Sequence, residues 1–124
     1  MSKILLIFVG GGLGSVLRYM IGLWLNASPY FMPYGTFTVN ILGSFLIGIA
    51  GGFGAKPSFH NPYLMYFVML GFLGGFTTFS SFSLETLQMI RNNDWAMASV
   101  YVTTSVITGI FAAAIGFYTG KNLL

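Results

Sequence analysis

The densest chemistry in the chain lies in the run Gly71-Phe72-Leu73-Gly74-Gly75-Phe76-Thr77-Thr78-Phe79-Ser80-Ser81-Phe82-Ser83, which packs three glycines and five hydroxyl residues into thirteen positions. Paired glycine weakens a helix, and hydroxyl side chains bond to backbone groups that a helix releases. The run predicts a broken helix, and broken helices at mid-membrane are typical ion-binding devices. An unbroken helix with a small-residue packing face is the alternative. Two polar rows accompany the run. Thr36, Asn40 and Ser44 stand four apart, on one helical face. Tyr101, Thr104, Ser105 and Thr108 follow one another at helical spacing. Such rows either line a polar track or bond one helix to the next.

The residue types also bear on the sign of an ion. Glu85 stands beyond the Thr/Ser/Phe run, toward a helix end, and no other carboxylate accompanies the rows. The chain offers donors instead: the Asn40 amide, hydroxyls, and the electropositive edges of the Phe79 and Phe82 rings. Neutral donors hold an anion weakly at several points, as conduction requires. Ordinary lipid or core packing is the other reading of the two rings. Arg18, a cation well inside an apolar stretch, either snorkels to the headgroups or concentrates anions in a vestibule.

Other chemistries are poorly served. The chain has no cysteine and one histidine, His60, so it lacks the material of a zinc centre or a disulfide framework. Gly10-Gly11-Gly12-Leu13-Gly14 lacks the spacing and the preceding strand of a nucleotide fingerprint. The basic balance rests on five scattered residues without a patch, which argues against nucleic acid.

The elements that must position these residues follow from composition. Of 124 residues, 56% are hydrophobic and only 6% charged. Seven charged side chains do not cover a soluble surface of this size, so the chain reads as an integral membrane protein. A bilayer span takes about 20 apolar residues. Four stretches qualify, over about 4–25, 35–53, 62–90 and 95–118, and the third is predicted to break near 74–79. The fold class is thus all-α, with four transmembrane helices in one domain. Turn residues join them: Asn26-Ala27-Ser28-Pro29 with Pro33, Lys56-Pro57-Ser58 with Asn61-Pro62, and Asn92-Asn93-Asp94. The first stretch is a retained helix rather than a signal peptide, since Arg18 falls where cleavage would occur. The sequon Asn26-Ala27-Ser28 carries little weight. Glycines four apart (Gly10/Gly14, Gly48/Gly52, Gly71/Gly75, Gly116/Gly120) are expected to let helices approach closely. With the N-terminus inside, Lys3, Lys56 and Lys121 face Arg91, with Arg18 toward its side. That bias is weak, so insertion in both orientations and an antiparallel dimer are permitted. Four helices are few to enclose a pathway, which favours a homo-oligomer.

Four motifs in order carry a family resemblance: Gly11-Gly12-x-Gly14-Ser15-x-x-Arg18-Tyr19, Gly35-Thr36-x-x-Val39-Asn40-x-x-Gly43-Ser44-Phe45, Gly74-Gly75-x-Thr77-Thr78-Phe79-Ser80-Ser81-Phe82-Ser83, and Tyr101 with Ser105. Across almost its whole length the chain resembles the small bacterial fluoride channels, the Fluc or CrcB family. It departs from the usual pattern at Ser15, where alanine is frequent, and at Ser81, where threonine is frequent.

The resemblance implies a dual-topology antiparallel homodimer in the bacterial inner membrane that exports fluoride passively. Asn40 would lie at the end of each pore, Phe79 and Phe82 would line it, and Tyr101 and Ser105 would continue the track, with Thr36 and Ser81 as further pore hydroxyls. A structural sodium ion at the dimer centre would take the backbone carbonyls of Gly74 and Thr77 from both chains. Arg18 would shape the vestibule. Fluoride, membrane lipid and a second copy are the implied partners, and no enzymatic activity is implied. The runner-up is a proton-coupled small multidrug transporter working through Glu85; a third reading is a membrane scaffold that moves no ions.

Overall fold

A computed structural model describes residues 2–26, 32–59 and 61–124. Ala27, Ser28 and Pro29 of the first expected turn, and with them part of the sequon, lie outside the described residues, as does His60. The described chain is helical throughout: α1 (Ser2–Leu25), α2 (Tyr34–Gly54), α3 (Pro62–Met65), a π-helical stretch (Tyr66–Leu73), α4 (Gly74–Phe76), α5 (Phe79–Arg91) and α6 (Trp95–Asn122). Four spans are long and apolar enough to cross a membrane; α3 through α5 together form the third, Pro62–Arg91.

Local chemistry sets the ends of these elements. Asn61 caps α3 by accepting the Leu64 N–H at 3.3 Å, and Pro62 occupies the first turn, where its missing N–H costs nothing. Asp94 caps α6 by accepting the Met97 N–H at 3.1 Å. Asn93 takes a left-handed φ of 59° directly after α5, a conformation asparagine tolerates better than most residues.

Lipid-facing helices gain little from apolar burial, so close backbone packing must hold the bundle together. The glycine pairs do this in two interlocked couples. Gly10 and Gly14 set α1 against the backbone of Phe67 to Phe76, and Gly71 and Gly75 return the contact on Ile7 and Gly11. Gly48 and Gly52 set α2 against Ala113 and Phe117 of α6, and Gly116 and Gly120 return it on Phe45 and Ile49. Val39, Leu73 and Tyr101 are the largest fully buried side chains.

Two boundaries differ from the sequence expectation. The fourth helix continues to Asn122, because Gly120 still packs on α2 and Lys121 suits the negative end of the helix dipole. In the third span the glycines do not leave the helix: Gly74 and Gly75 stay helical in α4. The chain departs at Thr77 (φ −85°, ψ 159°) and Thr78 (φ −149°, ψ 118°), both extended. A Cβ on Gly75 would run into the backbone of Gly11, so this glycine serves close approach rather than the break.

Candidate ion pathway at the broken helix

Breaking a helix at membrane depth strands backbone groups that lipid does not satisfy. Asn40 on α2 solves most of the problem. Its Oδ1 accepts the Thr78 N–H at 2.8 Å, and its Nδ2 donates to the Thr78 carbonyl at 3.0 Å. The amide thus pairs with Thr78 as a neighbouring β-strand would. The Thr78 hydroxyl then caps α5, accepting the Ser81 N–H at 3.2 Å. It also donates to Ser81 Oγ at 3.2 Å. Thr77 donates its hydroxyl back to the Leu73 carbonyl at 3.0 Å, and Ser15 on α1 donates to the Gly75 carbonyl at 3.3 Å.

The break also takes helical partners from carbonyls, among them those of Gly74 and Thr77. In an unbroken helix the Thr78 N–H would close on Gly74 and the Ser81 N–H on Thr77. Both N–H groups are diverted, to Asn40 and to the Thr78 hydroxyl. Gly74 is exposed and Thr77 half-buried, so the two released carbonyls lie near the surface of the protomer.

The expected site residues divide between two cavities on either side of Thr78. The first is a groove of about 290 Å³ that brings together Asn40, Phe79, Phe82 and Ser105, with Ser44, Thr77 and Thr78. Phe79 and Phe82 lie 5.7 Å apart at 40°, and Phe82 lies 5.2 Å from Tyr101 at 50°. Phe79 is 78% exposed, so one wall of the groove is open on the protomer's outside. Ser105 Oγ is buried and has no hydrogen-bond partner. No charged residue lines the groove.

The second cavity, about 590 Å³, is a basin holding Arg18, Thr36, Ser81 and Glu85, together with Ser15 and Asn26. Glu85 was assigned no part in an anion path from sequence, yet it organises this basin. Its Oε1 accepts from Thr36 at 2.6 Å, and its Oε2 accepts from Tyr101 at 2.8 Å. Tyr101 itself is fully buried behind Phe82 and lines neither cavity. It links them instead, with its ring against Phe82 and its hydroxyl on Glu85.

The hydroxyl row on α6 is only partly a track. Thr104 donates to the Val100 carbonyl and Thr108 to the Thr104 carbonyl, so both bond within their own helix. Only Ser105 of that row faces the groove. Thr78 was the residue sequence reasoning passed over. Its signal was a threonine three positions ahead of Ser81 at the start of a helix, the position of an N-cap.

Comparison with known proteins bears on the same residues. A family model described as CrcB-like protein, Camphor Resistance (CrcB), matches residues 5–117. A protein of Gloeothece citriformis named fluoride-specific ion channel FluC is 43% identical over 123 residues, covering 98% of this chain and 99% of that one. One of Flavobacterium psychrophilum with the same name is 42% identical over 124 residues, covering 99% and 100%. A third, from Gluconobacter oxydans, is 47% identical over 123 residues, covering 95% and 84%.

Proposed function

Since the chain belongs to the CrcB-like family, we infer that it is a fluoride-specific channel of a bacterial membrane, not an enzyme, and that it lets the anion leave the cell passively. The observation that carries this reading is the uncharged groove in which Phe79 and Phe82 adjoin the unpartnered Ser105 hydroxyl. Ring edges and a free O–H are donors that hold a small anion without trapping it. Fluoride enters a cell as the neutral acid, dissociates and is held as the anion. A potential of about 100 mV, negative inside, favours its exit by about 2.3 kcal/mol. The test is efflux from liposomes carrying the purified protein, followed with a fluoride electrode. Fluoride is expected to leave electrogenically, and chloride to be retained. Efflux that runs only when a proton gradient is imposed would overturn the channel reading.

The working unit is an antiparallel dimer, with Arg18 in the vestibule at each pore mouth. Support comes from the open wall beside Phe79 and from the Gly74 and Thr77 carbonyls, which need partners at membrane depth. A second copy would close the wall. Sodium held by the same two carbonyls of each chain would satisfy them, and hard oxygen donors suit such a cation. Asn40, Phe79, Phe82 and Ser105 form the narrow path. Thr36, Ser81 and Tyr101 act from the basin side, Tyr101 by backing the Phe82 ring. The multidrug-transporter reading is set aside: both Glu85 oxygens already accept hydroxyl hydrogens, and the relatives carry channel names.

A further inference from the structure

A third cavity lies away from the pathway, between α2 and the first half of the third span. Its volume is about 330 Å³, and every residue lining it is apolar, among them Leu46, Phe53, Phe59, Val68 and Leu73. It is open on one side, and an apolar groove of this kind left empty forfeits the dispersion contacts of its walls. Its long axis follows α2. From Phe53 to Leu46 is seven residues, about 10 Å at 1.5 Å per residue. The upper end is the helix terminus that leads into the Lys56 loop, and the lower end reaches toward the middle of the span.

The upper end is also basic. Lys56 Nζ sits 4.9 Å from the centre of the Phe53 ring, and Phe53 in turn meets Phe59 edge-on at 6.2 Å. Both rings line the cavity, so they bring the ammonium to its mouth. Lys3 lies on Tyr66 at 5.2 Å, at the same end of the bundle, and Lys121 closes α6 there. The chain has only two acids: Glu85 sits in the basin, and Asp94 caps α6 at the opposite end. No aspartate or glutamate side chain therefore lies at the Lys56 end.

We propose that this cavity is a binding site for an anionic phospholipid, with one acyl chain lying along α2 between Phe53 and Leu46 and the headgroup phosphate on Lys56. The geometry matches a lipid in both respects. The apolar slot runs parallel to the spans, as an acyl chain does, and the charge lies at the end where a headgroup must sit. A basic residue near the surface favours an anionic lipid about fivefold. The site adds a partner beyond bulk solvation, and it anchors the loop between α2 and α3 at the interface.

The experiment is native mass spectrometry of the full-length protein in detergent, titrated with phosphatidylglycerol or phosphatidylcholine. The wild type is expected to retain phosphatidylglycerol about fivefold more strongly. Lys56→Gln is expected to abolish the preference, whereas Arg91→Gln, at the opposite end of the bundle, leaves it unchanged. Val68→Trp, which fills the slot, is expected to lower retention of both lipids. Equal retention of the two lipids by the wild type would overturn the proposal, as would an equal loss in the Lys56 and Arg91 variants. A Val68→Cys chain that cross-links to a second copy through its only thiol would place protein in the slot and overturn it too.

Discussion

Asn40 and Ser105 line the same groove, yet their hydrogen bonding assigns them different work. Asn40 spends its carbonyl and one amide hydrogen on Thr78. Asn40→Ala leaves a buried peptide unit without partners, at an expected cost of about 2–4 kcal/mol read as a lower denaturation midpoint. Ser105 Oγ has no partner to lose. Ser105→Ala is therefore expected to leave stability within about 0.5 kcal/mol. Fluoride efflux is expected to fall by roughly tenfold, the worth of one hydrogen bond to a charged group. Unchanged efflux would remove Ser105 from the path. Phe82→Ile keeps an apolar side chain but removes the ring edge, and it also unstacks Tyr101. Slower transport by a variant that still dimerises is the expected result; equal flux would take that residue out of the pore.

At the scale of elements, the third span is held open by two devices that the chain keeps separate. Threonines make the break, and glycines dock the helix beside it. Gly75→Ala would drive a methyl group into the Gly11 carbonyl, whereas Gly12 has open space around it. The first substitution is expected to cost about 1–3 kcal/mol by thermal unfolding in detergent, because backbone must shift. Gly12→Ala is expected to leave stability unchanged or raise it, since alanine is the better helix former. Equal effects would mean that α1 is not docked through this contact. The break is legible in the sequence to within residues 74–79, but not that threonines rather than glycines make it. Glycine lowers helix propensity on average, yet at Gly75 the packing against Gly11 of α1 outweighs that preference.

For the whole molecule, the distribution of charge decides which way it can insert. Lys3, Lys56 and Lys121 lie at one end, and Arg91 at the other. Such a bias is small enough for both orientations to occur. Adding two arginines after Gly54 is expected to fix one orientation and, if the working unit is antiparallel, to abolish efflux. Coexpression with a chain fixed the other way is expected to restore it. Full efflux from the first chain alone would exclude the antiparallel dimer. Replacing sodium by choline in the buffer is expected to raise the monomer fraction of the purified protein in detergent, and no change would argue against a shared ion on the Gly74 and Thr77 carbonyls.

Much of this protein is written in its residue order, because a membrane span is a one-dimensional property. Length, apolarity and turn residues suffice to place four helices, and the glycine spacing announces their close pairing. The polar residues of the pathway also stood out, since a lipid environment makes each hydroxyl and amide conspicuous. Their assignment to partners did not. Whether a hydroxyl faces a groove, as at Ser105, or bonds its own helix, as at Thr104 and Thr108, depends on what packs within about 3 Å of it. Glu85 shows the same limit: from sequence it was a carboxylate near a helix end, and only the approach of α2 and α6 brings Thr36 and Tyr101 to its two oxygens. Hydrogen bonds are short-ranged and directional, so they are settled by three-dimensional contact rather than by order along the chain.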